Sequence, residues 1–220
     1  MRSAGICCKI KDIQEESVGR NMNEFDQLMQ HLGLSGSPMY ENYRSMAMLR
    51  RLKRHERFFD TMDRSRNIYF LISGVLRGFV IDKKGNDYTD CFIFRYGQAH
   101  IGCIDLGQQL IASECAEAIV DSELLCFDIN VLMPHILSSL ELSNLYARKL
   151  MESYADHWLH KNILFHSTAQ MRYEWFLQAY PGLIDIVPHK YIASFLNMTP
   201  VTLSRIRAKR TEQERKDGAV

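Results

Sequence analysis

The stretch from Pro188 to Arg210, PHKYIASFLNMTPVTLSRIRAKR, constrains the fold of this chain more tightly than any other. His189 to Leu196 sets Ile192, Ala193, Phe195 and Leu196 at helical spacing, and Pro188 suits a helix start. Asn197-Met198 breaks that helix, because Asn tolerates the left-handed backbone of a sharp turn. Thr199 is a candidate N-cap whose hydroxyl accepts from the next turn's N–H groups. Pro200 follows at the first helical position, where its missing N–H costs nothing. In the second helix, Pro200 to Arg210, the expected inward residues are Val201 or Thr202, Leu203 and Ile206. Ser204, Arg205, Arg207, Lys209 and Arg210 stay on or near the outer surface. A basic face is ordinary on a solvated helix, but the small Ala193, the turn and the capped basic helix together make a helix-turn-helix. Such a helix fits the major groove of B-DNA, where Arg pairs bidentately with guanine.

The segment IASFLNMTPVTLSRIR resembles the DNA-reading segment of the Crp/Fnr regulators, the bacterial family named after the cyclic-AMP receptor protein and the fumarate–nitrate regulator. In that family the Ser-Arg pair of the recognition helix commonly contacts the operator, which implies that role for Ser204 and Arg205. The family often has Glu before Thr-Leu-Ser-Arg, whereas this chain has Val201. A carboxylate accepts from cytosine N4 and valine does not, so the resemblance does not extend to the operator sequence.

With 220 residues, the chain can hold one large domain or two modest ones. A net charge of +1 does not suggest a general polyanion binder, so nucleic-acid affinity must come from local clusters such as Arg205, Arg207, Lys209 and Arg210. No apolar run approaches the roughly 20 residues that span a bilayer, and the first residues lack a secretory apolar core. No membrane partner is expected, and the expected location is the cytoplasm. The six cysteines form no C-x-x-C pair and read as buried thiols. Adjacent Cys7-Cys8 lacks the spacing of iron–sulfur ligands, so no cluster is expected.

Residues 1–22 are mixed and polar, a flexible segment in which Met22 is an alternative start. Phe25, Leu28, Met29 and Leu32 then mark an amphipathic helix. The basic run Arg44, Arg50, Arg51, Lys53, Arg54 and Arg57 reads as a solvated face rather than a second anion site. From Asn67 to Gly97 the chain is β: Ile68 to Ile72 and Val75 to Ile81 are β-branched and aromatic, split by Ser73-Gly74. Asp82 to Asn86 makes a hairpin turn, Tyr88 to Arg95 returns, and Glu123 to Phe127 is a further strand. Short strands with glycine turns suggest a small jelly roll. The order YFLISG, then Tyr88, then Tyr96-Gly97 resembles the effector-sensing β-roll of the same family.

A cyclic nucleotide needs its phosphodiester charge compensated in the pocket. From Tyr96 to Phe127 there is no Lys or Arg, whereas Asp105, Glu114, Glu117, Asp121 and Glu123 are acidic. Gln98 stands where the family's Gly-Glu would put a carboxylate after Gly97. Cyclic AMP is therefore not the expected effector, and the small-molecule effector stays unidentified. His100 with Cys103 and Cys115 is the candidate metal or haem set, but scattered His and Cys in β sequence are usually packing residues. No metal or cofactor is expected.

Met133 to Thr168 has helical periodicity, with Ile136, Leu140, Ser143, Ala147, Leu150, Tyr154 and Trp158 along an approximate heptad seam. It resembles the family's dimerisation helix; a core helix within one subunit is the alternative. Tyr173, Trp175, Phe176 and Leu177 mark another amphipathic helix, and Ile184 to Val187 suggests a short strand. The charged tail from Thr211 is expected to fray, with no β-wing.

The expected architecture is α+β: a flexible segment (1–22), a cyclic-nucleotide-binding-like β-roll (23–132), a dimerisation helix (133–168) and a helix-turn-helix domain (169–220). The resemblance implies a homodimeric transcription regulator that is not an enzyme. Its partners would be two-fold double-stranded DNA and RNA polymerase. The candidate DNA contacts are Lys190, Thr199, Ser204, Arg205, Arg207, Lys209 and Arg210; the candidate dimer contacts are Ile136, Leu140, Ala147, Leu150, Tyr154 and Trp158. The alternatives are a protein-binding sensor without DNA affinity, and a cupin-type metal enzyme, for which only isolated His100 and His135 stand as ligands.

Overall fold

The computed structural model describes residues 23–60, 67–101 and 113–217. Two helices come first, α1 (Glu24–Leu32) and α2 (Tyr40–Met46). Eight strands follow: β1 (Met48–Leu52), β2 (Arg57–Asp60), β3 (Asn67–Ser73), β4 (Leu76–Ile81), β5 (Asp87–Ile93), β6 (Ala99–Ile101), β7 (Ser113–Ala118) and β8 (Ser122–Asp128). Then come α3 (Ile129–Ser138), α4 (Leu140–His166), α5 (Ala169–Ala179), α6 (Leu183–Ile186), α7 (His189–Phe195) and α8 (Pro200–Asp217). The expected N-terminal segment, Cys7, Cys8, Met22, Cys103 and Asp105 lie outside the described residues.

The strands form two antiparallel sheets, ordered β1-β8-β3-β6 and β2-β7-β4-β5, which is a jelly roll. Between the sheets lie Leu52, Phe58, Tyr69, Leu71, Leu76, Ile93, Ala116, Leu124 and Cys126. Side chains alternate along a strand, so Ile68, Phe70 and Ile72 of β3 face the other way, with Leu125 and Phe127 of β8. That outer face is covered by α1 through Phe25, Leu28, Met29 and Leu32 and by Leu132, Ile136, Leu142 and Leu145. Burial on both faces explains why β3 reads as an unbroken apolar run.

Local chemistry sets the turns. In the β4–β5 hairpin, Asp82 Oδ1 accepts from the Lys84 and Asn86 N–H groups at 2.8 and 2.9 Å, and Gly85 takes φ +83°. Gly74 has φ +103°, and a Cβ there would lie 2.1 Å from Ser122 Oγ, so the break between β3 and β4 requires glycine. The basic run is an ion-paired surface. Arg44 pairs with Asp26, Arg50 with Glu56, Arg51 with Glu123 and Lys53 with Asp121. Cys91, Cys115 and Cys126 carry thiols rather than disulfides, and burial pushes the Cys126 thiol up to about 11.

Four expectations change. The single helix from Met133 is two, because Ser139 takes extended backbone (φ −117°, ψ 119°) and caps α4 by accepting from Leu142 N. The break turns Ile136 into the subunit's own core while Leu140 points to solvent, so Ile136 leaves the proposed dimer seam. Ile184 to Val187 is not a strand. Leu183 and Val187, four residues apart, are both buried, and one helical turn puts both on the same side. The tail does not fray at Thr211: α8 runs to Asp217, since helix formers continue without Gly or Pro until Gly218.

The two halves share a core. Val75, Phe92 and Ile119 of the roll pack with Tyr173, Phe176, Ile192, Phe195, Leu196 and Leu203 from the C-terminal helices.

Candidate nucleic-acid interface

Helix α7 buries Tyr191, Ile192, Ala193 and Phe195. The turn behind it closes as Met198 N–H donates to the Ala193 carbonyl at 2.9 Å, with Asn197 in the left-handed region at φ +49°. Arg172 of α5, which sequence reasoning missed, donates to the Asn197 carbonyl at 3.3 Å and braces the turn. Thr199 Oγ1 accepts from Thr202 N–H at 3.1 Å and lies 2.9 Å from Thr202 Oγ1. Its hydroxyl therefore caps α8 as expected, and Thr199 itself is exposed at the start of that helix.

From the cap, α8 separates its faces. Leu203 is fully buried, and half a turn away Val201, Ser204, Arg205 and Ala208 face solvent. Of the two residues expected to face inward, Val201 or Thr202, it is Thr202 that does so, half-buried like Ile206, while Val201 is 59% exposed. Arg207 does not join the outward face, because its guanidinium donates to the His189 ring, with Nη1 3.0 Å from Nδ1. Burial and the Arg207 charge hold the His189 pKa down, which keeps the ring able to accept. Lys209 and Arg210 are exposed beside a groove between α5 and α8 that Glu174, Gln178 and Ile206 also line. Lys190 is exposed on α7 with Nζ 4.6 Å from the Tyr191 ring centroid. Ser204 and Arg205 thus share the outward face, while Arg207, Lys209, Arg210 and Lys190 flank it.

The long α4, 27 residues, carries a second surface. Leu142, Leu145 and His160 mark its buried side. On the opposite side Leu140, Ala147, Met151, Tyr154, Trp158 and Phe165 recur at helical spacing, all exposed, with Leu150 at the edge. Leu140 is 78% exposed and Met151 71%. Tyr154 and Trp158 stack at 6.4 Å. The stripe runs roughly 40 Å along the helix.

A cavity of about 560 Å³ lies between β5, the β5–β6 turn, α4 and the rings of Tyr180 and Phe195. Ion pairs bridge roll and helix there: Asp90 with His157 at 3.0 Å and Arg95 with Asp156 at 3.7 Å. Burial would raise the Asp90 carboxyl, but the hydrogen bond and charge of His157 outweigh it and hold the group below its ordinary value. Lys149, also on the lining, pairs with Glu152 at 2.9 Å. Gln98, at the place of the family's carboxylate, accepts through Oε1 from Phe94 and Arg95 N–H at 3.0 and 3.2 Å and closes the turn. His100 is packed among the rings of Phe58, Phe59 and Tyr69. Among the described residues, no group of three or more His, Cys, Asp or Glu side chains is placed to hold a metal ion, and no helix is long and apolar enough to cross a membrane.

No family model matches the chain, and no curated protein matches its sequence. Solved structures do. FixK2 from Bradyrhizobium japonicum aligns over 76% of this chain and 86% of its own, with 17% identity and a TM-score of 0.65. A chain from Eubacterium rectale assigned to the transcriptional regulators of the Crp/Fnr family aligns over 86% and 89%, with 17% identity and a TM-score of 0.65. A CooA variant from Carboxydothermus hydrogenoformans aligns over 88% and 86%, with 16% identity and a TM-score of 0.61. This chain therefore has the α+β fold of the Crp/Fnr regulators, a β-roll followed by helices.

Proposed function

We propose that the chain is a Crp/Fnr-family transcription regulator that binds DNA sequence-specifically as a homodimer in the cytoplasm and is not an enzyme. The observation that carries this reading is the face of α8 opposite buried Leu203, where Ser204 and Arg205 stand clear of every cap and core contact. Arg205 reads guanine through its bidentate fork, Ser204 hydrogen-bonds a base edge, and Val201 packs on a thymine methyl. Lys190, Arg207, Lys209 and Arg210 serve phosphates, which fix register without carrying sequence.

The apolar stripe of α4 supports the dimer. A water-exposed row of Leu140, Met151, Tyr154, Trp158 and Phe165 matches its own copy across a two-fold axis. One recognition helix contacts few bases, whereas two about 34 Å apart read a two-fold operator with multiplied affinity. RNA polymerase is the further partner we propose. The cavity between roll and α4 is the proposed signal site. Its cations Arg95 and Lys149 are already paired with Asp156 and Glu152, so a cyclic nucleotide's phosphodiester would find no unpaired charge from them.

The test is the salt dependence of duplex binding. A regulator that neutralises phosphates loses affinity linearly in log–log form as salt rises. A protein-binding scaffold shows no salt-sensitive duplex shift.

A further inference from the structure

The sheet β2-β7-β4-β5 turns its outer face toward the DNA-reading head, and a buried polar cluster of Arg77, Thr89 and Glu117 breaks the apolar rule there. Arg77 of β4 is 1% exposed. Its guanidinium lies between two rings, 4.1 Å from the centroid of Phe79 and 3.6 Å from that of Tyr191 on α7. Nη2 is 2.8 Å from Asp87 Oδ2 and 3.0 Å from Glu117 Oε1, and Nη1 donates to Thr89 Oγ1 at 3.2 Å. Thr89 N–H in turn donates to Ser194 Oγ at 3.0 Å. Tyr191 and Ser194 are three residues apart on α7 and so lie on one side of that helix.

We infer that Arg77 is a positioning residue for the DNA-reading head: it pins α7 to the roll and thereby sets the angle at which α8 is presented. The apolar contacts of Val75, Phe92 and Ile119 supply attraction, but such contacts are non-directional and let a helix slide. A planar guanidinium with fixed partners on β4, β5, β7 and α7 accepts one orientation only. A charge removed from water is costly unless paired, and Tyr191 covers the buried Arg77 guanidinium, whose partner Asp87 stays exposed at the edge of the cluster. Docking the head and completing the cluster are therefore one event. Because the turn at Asn197 joins α7 rigidly to α8, a fixed α7 fixes the separation of two recognition helices in a dimer. The roll and head then turn as one body, and spacing between half-sites is read as sharply as sequence.

This inference rests on the DNA-binding dimer, and its test separates the two. Wild type, Arg77→Met and Tyr191→Leu are compared first without DNA, by hydrogen exchange of the α7 amides, and then on two-fold duplexes whose half-site separation changes one base pair at a time. Tyr191→Leu removes the covering ring while leaving Arg77, Asp87 and Glu117 in place, so it serves if Arg77→Met does not fold. The expected result is faster α7 exchange and a spacing preference flattened by roughly tenfold, with the half-site sequence preference retained. Partial unfolding alone would lower binding to every spacing equally. Wild-type exchange rates and wild-type spacing preference in the variants would overturn the assignment. If the wild type shifts no duplex, the DNA reading fails, and unchanged α7 exchange in the variants still refutes the pin.

Discussion

The imidazole of His160 stacks on the ring of Phe195, centroids 3.8 Å apart, with its Nε2 2.8 Å from the Phe195 carbonyl oxygen. One end of this contact is on α4, the other on the first helix of the helix-turn-helix. Burial, partly offset by that hydrogen bond, lowers the His160 pKa below its ordinary value. A histidine with a depressed folded pKa adds stability that is whole above its unfolded pKa, near 6.5, and is lost as pH falls below it. Thermal unfolding should therefore show a falling midpoint between about pH 7 and pH 5. His160→Gln should flatten that slope without removing it, because His31 and His189 are shifted in the same direction. An unaltered slope in His160→Gln would show that the contact does not titrate with folding.

Arg205→Ala and Lys209→Ala should separate two kinds of DNA contact. Loss of the outward fork at Arg205 costs about 1–3 kcal/mol of discrimination at one base position. Lys209→Ala should weaken binding to most duplexes alike and reduce the magnitude of the salt slope by about one. Competition shifts with matched and mismatched duplexes report the difference. Equal discrimination by wild type and Arg205→Ala contradicts the assignment of α8's outward face.

Trp158→Glu puts a charge in the exposed stripe of α4, which is already in water in one subunit, so it should leave the monomer fold intact and dissociate the dimer. Ile136→Ala should do the opposite, costing about 2–5 kcal/mol of stability with no change of assembly, because Ile136 is buried within its own subunit. Sedimentation velocity and chemical denaturation of both variants check the pair. A Trp158→Glu protein with the wild-type sedimentation coefficient would place the subunit contact elsewhere.

What was legible in the sequence had local causes. Thr199-Pro200 announces a helix start by capping chemistry, Asp82 to Asn86 a hairpin, and Phe25, Leu28, Met29 and Leu32 a buried stripe, and each stands as read. The break at Ser139 was not legible, since Ile136 and Leu140 keep helical spacing across it and periodicity does not register a change of axis. Nor was Val201's exposure, because a β-branched residue beside the cap fits either face until Leu203 is anchored. The link between roll and head was least visible. Arg77 with Tyr191, and Thr89 with Ser194, are contacts between distant segments, and an arginine inside a strand reads as a surface residue until another helix covers it.

The most direct measurement of the central claim is selection of bound duplexes from a random pool by the purified protein, read by sequencing. Enriched sequences should be two-fold symmetric, with half-sites whose centres lie about one helical turn, roughly 10 base pairs, apart. A folded, strictly monomeric protein that enriches no sequence at low ionic strength would contradict the account.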